Sequence, residues 1–360
     1  EKNISPAFLD RLMLNKDRLD DIRNSLEEIA SFEDPVGKIQ SSWERPNGLK
    51  ISRVSTPLGV IGVIFESRPN VTADAGALCL KSGNASILRG GSDSIHSSLA
   101  IGECLEKGLY DAKLPTSAIQ VINSTDREIV KHMLNGMNKN IDVIVPRGGK
   151  SLVAEVEKEA KVPVFGHLEG ICHIYIDKFA KKYKAIEIIH NAKLRRPGIC
   201  GAVETVLIHH ETVDKILPEL IDNLMQNNCE VRGCETVQNI NPNVIPATEK
   251  DWTTEYLLPI ISIKVVKSLN EAILHIEEFS SGHTESIITE NDERAEIFQK
   301  HIDSAIVMHN ASTQFADGGE FGLGGEIGIA TGKFHARGPV GVEQLTSFKY
   351  LVKGTNHLRD

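Results

Sequence analysis

Long hydrophobic runs are missing from this chain of 360 residues. No apolar stretch approaches the ~20 residues that a membrane-spanning helix needs, so we do not expect an integral membrane protein. An excess of basic residues is missing too, because 40 Lys and Arg residues stand against 49 Asp and Glu residues. The resulting net charge of −9, with both signs interspersed, argues against a nucleic-acid-binding protein.

Cysteine is scarce and shows no pairing pattern. The six cysteines are Cys79, Cys104, Cys172, Cys200, Cys229 and Cys234. A chain of this length does not depend on disulfides, so this usage favours the reducing cytoplasm over secretion. Cys229 and Cys234 lie close together, but no His or Cys pair follows at zinc-finger spacing, and we expect no metal site.

The Gly-x-Gly-x-x-Gly fingerprint is absent as well, which argues against an ordinary Rossmann pyrophosphate turn. What the chain does have is the composition of a globular protein, with 41% hydrophobic and 25% charged residues. Its length is sufficient for two hydrophobic cores at about 100–200 residues per domain.

Hydrophobic periodicity alternates along the chain between strands and helices. In the first half we predict strands at 60–65, 85–88, 118–122, 141–145 and 162–165, and helices at 71–81, 93–108, 126–135 and 150–160. In the second half we predict strands at 173–176, 204–209, 260–266, 285–289 and 305–308, and helices at 180–191, 213–227, 269–279 and 292–301. Strands separated by helices form parallel βαβ units, so the pattern predicts two α/β domains.

Two further segments, 48–54 and 345–352, alternate as strands do but stand outside this series. They can pair within the chain or with a second copy, since an edge strand can be covered either way.

The most informative segment runs from Asn191 to Glu204 and places Cys200 in a Gly/Pro loop before an apolar strand. Arg195 and Arg196 precede the cysteine, and nearby positive charge favours the thiolate, which is the nucleophilic form. The alternative is a small buried cysteine in the core, the commoner state of this residue type. The residues of the loop alone leave both interpretations open.

Five further motifs accompany this loop: Phe65–Asp74, Lys81–Gly91, Pro146–Lys150, Gly166–His173 and Asp317–Gly328. Together they resemble the γ-glutamyl phosphate reductase family, also called glutamate-5-semialdehyde dehydrogenases, within the aldehyde dehydrogenase superfamily. The resemblance extends from about Gly59 to Gly354 and so covers nearly the whole chain.

The resemblance implies an α/β, aldehyde dehydrogenase-like fold with two α/β domains and a small strand arm for oligomerisation. On this basis we assign residues 1–47 and 56–168 to an NADP-binding domain, 169–335 to a catalytic domain, and 48–55 and 336–360 to the arm. In this superfamily the arm pairs with a neighbouring subunit, so the resemblance implies a homodimer or a higher oligomer.

The resemblance also implies the catalytic residues. Cys200 would be the nucleophile that forms a thioester with the γ-glutamyl acyl group and expels phosphate. Asn70 corresponds to the superfamily asparagine that stabilises the oxyanion, and its alternative role is to cap the helix that begins at Val71. The family usually has Asn after the cysteine, whereas this chain has Gly201.

The cofactor residues implied by the resemblance are Gly83, Arg89, Ser92 and Glu255. Arg89 corresponds to a basic residue near the adenosine ribose, and an arginine with Ser92 tolerates a 2′-phosphate, so we expect NADPH. Glu255 corresponds to the glutamate that holds the nicotinamide ribose. Without the family context, Arg89 and Glu255 are equally consistent with ordinary surface charges.

Arginines are expected to hold the carboxylate and phosphate groups of the substrate. The motifs single out Arg68, Arg196 and Arg337, and the glycine-rich segment 318–328 could add backbone donors. We assign no catalytic role to five other polar residues in these motifs: His167, His173, Glu169, Asp317 and Glu320.

The implied reaction is the NADPH-dependent reduction of γ-glutamyl phosphate to glutamate 5-semialdehyde and phosphate, the second step of proline biosynthesis from glutamate. Coupling to a glutamate kinase would follow from that substrate. The family's general-base glutamate is missing from segment 166–170, although Glu169 is near, so we expect water to be a poor acyl acceptor. Two alternatives stay open: a CoA-acylating aldehyde dehydrogenase, and an inactive interaction module with this fold.

Overall fold

The computed structural model of the chain describes residues 12–323 and 325–359. They form two compact units. Unit 1 contains the chain up to Gly166, with Gly322–Ile329 and Lys333–Asp360, and unit 2 contains His167–Phe321 and Ala330–Gly332. Residues 1–11 of the predicted NADP-binding domain, Gly324 of the glycine-rich segment and Asp360 of the predicted arm lie outside the described residues.

Helix α1 of unit 1 is an element that the sequence pattern did not predict. Its elements are α1 (Lys16–Ser31), β1 (Ile39–Glu44), β2 (Lys50–Pro57), β3 (Val60–Phe65), α2 (Val71–Lys81), β4 (Ala85–Arg89), α3 (Ile95–Asp111), β5 (Ile119–Val121), α4 (Arg127–Leu134), β6 (Val143–Arg147) and α5 (Lys150–Glu159). The strands β5, β4, β3 and β6 form a parallel sheet in that order. β3 is central and almost wholly buried, as expected for a parallel strand covered on both faces.

Unit 2 is built around a parallel sheet of seven strands. Its elements are β7 (Cys172–Ile176), α6 (Lys182–Leu194), β8 (Val203–His209), α7 (Val213–Gln226), β9 (Glu230–Gly233), α8 (Glu235–Ile240), β10 (Ile245–Pro246), β11 (Ile260–Val266), α9 (Leu269–Phe279), β12 (Thr284–Ile288), α10 (Asp292–His301) and β13 (Ile306–His309). The strand order is β10-β9-β11-β8-β7-β12-β13. Every residue of β7, β8 and β12 is buried. The fold class predicted from the sequence, with two α/β domains, is therefore confirmed.

The remaining strands are β14 (Ile329–Ala330), β15 (Gly338–Pro339) and β16 (Thr346–Lys353). β16 pairs antiparallel with β2, and β2 pairs antiparallel with β1, which gives a sheet of three strands. We call this sheet the strand arm. Seven of the eight residues of β16 are exposed, and Trp43 of β1 contacts Tyr350 with ring centroids 6.1 Å apart.

The structure differs from the predicted boundaries where backbone hydrogen bonds override the pattern. Segment 162–165 forms only an isolated bridge from Val164 to Ile144, because Pro163 has no N–H to continue a strand ladder. Segment 322–329 belongs to unit 1 rather than to the predicted range 169–335. Ile327 donates to the Val340 carbonyl at 2.9 Å and Val340 donates to the Gly328 carbonyl at 2.8 Å, which ties this segment to the C-terminal part of unit 1.

Candidate active site

Cys200 lies in the loop that connects α6 to β8 in unit 2. The helix ends before Arg196, because the ring of Pro197 clashes with the helical conformation of the residue that precedes it. The loop closes with a turn in which the Ala202 N–H donates to the Ile199 carbonyl at 3.0 Å. The side chain of Cys200 is half-buried, so its thiol is neither a core group nor a fully solvated one.

Parallel strand pairing brings distant segments to this loop. In the order β11-β8-β7-β12, Glu255 precedes β11, Cys200 precedes β8, Gly170 precedes β7 and His283 precedes β12. The amino ends of parallel strands lie at one edge of a sheet, so four segments far apart in sequence meet there. The structure thus brings Cys200 and Glu255 of the predicted site together.

Gly170 packs directly against the backbone of Cys200. A Cβ atom at Gly170 would lie 2.1 Å from the Cys200 carbonyl oxygen and 2.7 Å from its Cα, so a side chain does not fit. The Gly170 N–H donates to Oε1 of Glu255 at 2.9 Å. Glu255 is therefore fixed to the segment that supports residues 195–202, which we call the nucleophile loop after the predicted role of Cys200. A Cβ at Gly201 would lie 3.1 Å from the Thr313 carbonyl, which favours a small residue there.

Two histidines surround the Cys200 thiol. Sγ of Cys200 and one ring nitrogen each of His167 and His283 all lie within 4.8 Å of one another. Burial, with a smaller contribution from His167, lowers the pKa of His283 to about 3, so this imidazole is neutral at physiological pH. His167, which we did not assign to the site, is thus brought to it. His173 is fully buried elsewhere, with Nδ1 3.2 Å from Oε2 of Glu285.

A second thiol lies next to Cys200 but has a different environment. Cys172 is fully buried, and its Sγ donates to the Cys200 carbonyl at 3.1 Å. Burial raises the pKa of the Cys172 thiol well above its ordinary value. Of these two neighbouring thiols, only Cys200 has the exposure that a nucleophile needs.

A buried ion pair connects the two ends of the nucleophile loop. Nζ of Lys193 lies 2.5 Å from Oε2 of Glu204, and both side chains are 0% exposed. Burial raises the pKa of Glu204 to about 7, while Lys193 acts in the opposite direction. Lys193 belongs to the last turn of α6 and Glu204 to β8, so the pair joins the two ends of the loop. Removal of one partner alone would leave an uncompensated buried charge, which costs about 3–5 kcal/mol in other proteins.

In unit 1, Asn70 lies at the start of α2 but makes no side-chain capping hydrogen bond to the helix. Its Nδ2 instead donates to Oδ2 of Asp74 at 3.1 Å, and the side chain is exposed. The capping alternative for Asn70 is therefore wrong. Arg68, two residues earlier, is half-buried.

Charged side chains collect at the carboxyl edge of the four-stranded sheet in unit 1. Arg89 ends β4, Arg147 ends β6, and Glu66 and Arg68 follow β3. This edge is where open α/β sheets bind their ligands. Gly83 lies two residues before β4, whose ends are about 13 Å apart at 3.3 Å per residue, and a Cβ there would lie 2.8 Å from Cγ of Pro57. Within unit 1 the structure does not bring Gly83 to Arg89, because Gly83 serves the turn from α2 to β4 with a φ of +74°.

Arg89 has the environment of an anion-binding residue. Its Nη2 donates to the Thr125 carbonyl at 3.3 Å, and its Nε is buried without a hydrogen-bond partner among the described residues. Burial and the positive charge of Arg127 both lower the pKa of Arg89. Arg127 is the first residue of α4, and the sequence motifs gave no signal for it. Ser92 is exposed in the loop after β4.

The other predicted residues take separate positions. Arg196 is exposed in the nucleophile loop of unit 2, whereas Arg337 is half-buried in unit 1. The neighbouring Arg195 donates from Nη1 to Oε1 of Gln314 at 3.2 Å, which gives that guanidinium a structural contact. Asp317 accepts from the Gly319 N–H at 2.8 Å and so organises its own loop.

The family model for the aldehyde dehydrogenase family matches residues 15–238 and 231–351. The chain is 59% identical over 355 residues to the γ-glutamyl phosphate reductase of Parvibaculum lavamentivorans, with 99% of this chain and 84% of the relative covered. It belongs to the γ-glutamyl phosphate reductase family. The γ-glutamyl phosphate reductase of Brucella suis is 59% identical over 360 residues, with 100% of this chain and 86% of the relative covered.

A solved structure of the family has the same fold. The crystal structure of γ-glutamyl phosphate reductase from Thermotoga maritima matches with a TM-score of 0.97 at 46% identity, and the match covers 100% of this chain and 86% of the other. The expected aldehyde dehydrogenase-like fold is confirmed. As a member of this family the chain is an oxidoreductase, and the aldehyde dehydrogenase family uses a nicotinamide cofactor. Among the helices of the described residues, none is long and apolar enough to cross a membrane.

Proposed function

We propose that this chain reduces γ-glutamyl phosphate to glutamate 5-semialdehyde and phosphate with NADPH, the second step of proline biosynthesis from glutamate. The observation that carries the proposal is a half-exposed Cys200, supported by a glycine that admits no side chain, in a chain 59% identical to γ-glutamyl phosphate reductases. An inactive interaction module has no need of such a supported thiol.

Cys200 performs the covalent step. Its thiolate attacks the acyl carbon of γ-glutamyl phosphate, the acyl–phosphate bond breaks, and phosphate leaves with the bonding electron pair. The product of this step is a thioester, which accepts a hydride more readily than a carboxylate does. NADPH, when bound, supplies that hydride. The thiolate is then expelled and the aldehyde is released.

Asn70 donates its amide N–H to the oxyanion in this proposal, because that side chain is exposed and is not used as a helix cap. Glu255 holds the nicotinamide ribose; it faces the nucleophile loop through Gly170. Arg68, Arg196 and Arg337 bind the carboxylate and phosphate groups of the substrate. No general base is assigned, so water is a poor acceptor for the thioester and phosphate is the natural one.

The cofactor is NADPH rather than NADH in this proposal. A 2′-phosphate would accept a hydrogen bond from the buried, unpartnered Nε of Arg89. Its negative charge would also reduce the repulsion between Arg89 and Arg127. Ser92 lies in the loop just after Arg89 and adds a hydroxyl donor. Gly83 has no part in this arrangement.

The strand arm pairs with a second copy of the chain, giving a homodimer or a higher oligomer, because β16 is an exposed edge strand of its sheet. All six cysteines are free thiols, which fits a cytoplasmic location. The substrate is an acyl phosphate made from glutamate, so a glutamate kinase must supply it.

The test is a coupled turnover assay with glutamate, ATP, an authentic glutamate kinase and NADPH. We expect NADPH consumption only when the kinase is active. In the reverse direction, oxidation of glutamate 5-semialdehyde should need added phosphate or arsenate for more than one turnover. Sustained NADPH formation in phosphate-free buffer with glutamate as product would overturn the reductase assignment. A requirement for CoA in place of phosphate would instead identify a CoA-acylating enzyme.

A further inference from the structure

The group formed by His167, Cys200 and His283 has the composition of a metal site as well as of a thiol nucleophile. One nitrogen from each histidine and Sγ of the cysteine lie within 4.8 Å of one another. Around a tetrahedral Zn²⁺, ligand atoms with these bond lengths lie about 3.3–3.6 Å apart. Side-chain movements of about an ångström would therefore bring the three atoms to coordination distance.

His283 is prepared for a ligand by its hydrogen bonding. Its Nδ1 lies 2.8 Å from Oγ1 of Thr284 and 3.7 Å from Sγ of Cys172, and either group can accept a proton carried by Nδ1. The other nitrogen, Nε2, is buried and has no hydrogen-bond partner within the described part of the chain. Metal-binding histidines usually donate one ring N–H to such a partner and bind the metal with the other nitrogen. In the tautomer with the ring proton on Nδ1, Nε2 of His283 carries a buried lone pair, and we take this nitrogen as the one that would bind a cation.

The other two groups complete an accessible, soft donor set. The rings of His167 and His283 meet edge to face, with centroids 4.9 Å apart and planes at 76°. Cys200 and His167 are each partly exposed, so a cation can enter from solvent. Two imidazoles and one thiolate match the preference of Zn²⁺, and three protein ligands leave its fourth position to water.

We propose that His167, Cys200 and His283 form a reversible binding site for Zn²⁺ or a similar thiophilic divalent cation, and that the bound cation inhibits the enzyme by occupying the nucleophile. Metal binding does not depend on the proposed function. The inhibition does, because it follows only if Cys200 is the nucleophile.

The chain contains a competing group that serves as a control. His209, His210 and Glu211 also lie within 4.8 Å of one another. In this second group Nδ1 of His209 already accepts the Glu211 N–H at 3.2 Å, and the donors are successive residues. Substitution of His210 therefore distinguishes binding at this second group from binding at the group of Cys200. Substitution of the exposed Cys104 tests whether a surface thiol binds the cation.

The experiment is a Zn²⁺ titration of the full chain against a chromophoric chelator under reducing conditions, repeated with Co²⁺ to observe thiolate-to-metal charge transfer. We expect one tight site in the unmodified chain and in His210→Gln and Cys104→Ser. We expect at least tenfold weaker binding in His167→Gln and His283→Gln, and loss of the charge-transfer absorption in Cys200→Ser. Thermal unfolding establishes that each variant is folded, and His167→Gln suffices if His283→Gln does not fold.

Unchanged binding in His167→Gln and Cys200→Ser, or loss of binding in His210→Gln, would overturn the proposal. A charge-transfer band that persists in Cys200→Ser would do the same. The activity arm adds Zn²⁺ and then EDTA during turnover, with reversible inhibition expected. If Zn²⁺ binds through Cys200 without inhibition, the metal site stands and the assignment of Cys200 as nucleophile fails.

Discussion

At the scale of single residues, exposure separates groups of the same chemical type. Cys172 and Cys200 touch each other, yet burial keeps Cys172 as a thiol while Cys200 reaches solvent. Arg195 and Arg196 are adjacent in sequence, yet Arg195 contacts Gln314 with its guanidinium, whereas Arg196 accepts from Gln314 through its backbone carbonyl. Residue type and neighbours along the chain predict reactive candidates, but the packing of each side chain selects among them.

Cys200→Ser should abolish turnover because a serine hydroxyl is far less ionised than a thiol. The fold and NADPH binding should persist, since the substitution is nearly isosteric. Cys104→Ser should keep full activity, and Cys172→Ser, which retains a donor to the Cys200 carbonyl, should keep most of it. Steady-state rates decide the matter: more than about a tenth of the original rate in Cys200→Ser, a loss below ~1.4 kcal/mol, contradicts a covalent mechanism.

Arg89→Glu should weaken NADPH binding far more than NADH binding, because the 2′-phosphate would face a carboxylate in place of a guanidinium. Arg127→Glu should shift the preference in the same direction by a smaller factor, since Arg127 is exposed. The measurement is the ratio of kcat/KM for the two nucleotides. Equal losses for both nucleotides would remove Arg89 from this role, and Lys107→Glu on the exposed face of α3 is the control for net charge.

At the scale of elements, strand order determines which loops meet. The segments before β11, β8, β7 and β12 are neighbours only because these strands are parallel and adjacent in the sheet of unit 2. The buried pair of Lys193 and Glu204 then joins α6 to β8 and fixes the loop between them. The position of Cys200 therefore depends on close backbone packing as well as on the residues of its own loop.

Gly170→Ala should reduce kcat at least tenfold while most of the fold persists, because the new Cβ would lie 2.1 Å from the Cys200 carbonyl and displace the loop. Overpacking of this kind costs about 1–3 kcal/mol of stability. Gly198→Ala, in the loop of Cys200 itself, is the matched control, since its Cβ would meet only the Leu257 carbonyl at 3.8 Å. Rates and thermal unfolding are measured together. Comparable activity in both alanine variants would contradict a positioning role for Gly170.

At the scale of the whole molecule, the strand arm presents apolar side chains that the chain itself leaves exposed. Tyr350 and Val352 of β16 are each 55% exposed, and Trp43 of β1 is 41% exposed. An exposed edge strand presents unpaired N–H and C=O groups with which a strand of another chain can pair. The strand arm is thus the surface through which we propose that one chain pairs with a second copy.

Replacement of Tyr350 and Val352 together by lysine should convert the assembly to monomers, because two charges would be placed on the edge strand that we propose to pair. Sedimentation velocity measures the change, and circular dichroism reports whether the secondary structure persists. Phe334→Lys is the control, since Phe334 is 92% exposed outside the arm. A monomeric unmodified chain, or a double variant with an unchanged sedimentation coefficient, would contradict the proposal.

Sequence patterns predict the bounds of an element correctly where the local signal agrees with the final fold. The boundaries of β3, α2, β11, α9 and α10 match the predicted ranges because apolar periodicity and flanking polar residues coincide there. The motifs also predicted Cys200, Asn70 and Arg89 as site residues, and their roles stay predictions. The prediction of a strand at 162–165 was wrong, because apolar periodicity does not take into account that Pro163 has no N–H for a strand ladder.

The sequence by itself determined the fold class, the family and the cysteine most suited to nucleophilic attack, because each of these depends on local composition and on strings of adjacent residues. Only the tertiary structure decided that Gly170, His167 and His283 belong with Cys200 and that Arg127 lies near Arg89. These relations depend on strand order and backbone packing between distant segments, and no periodicity along the chain encodes which strands become neighbours.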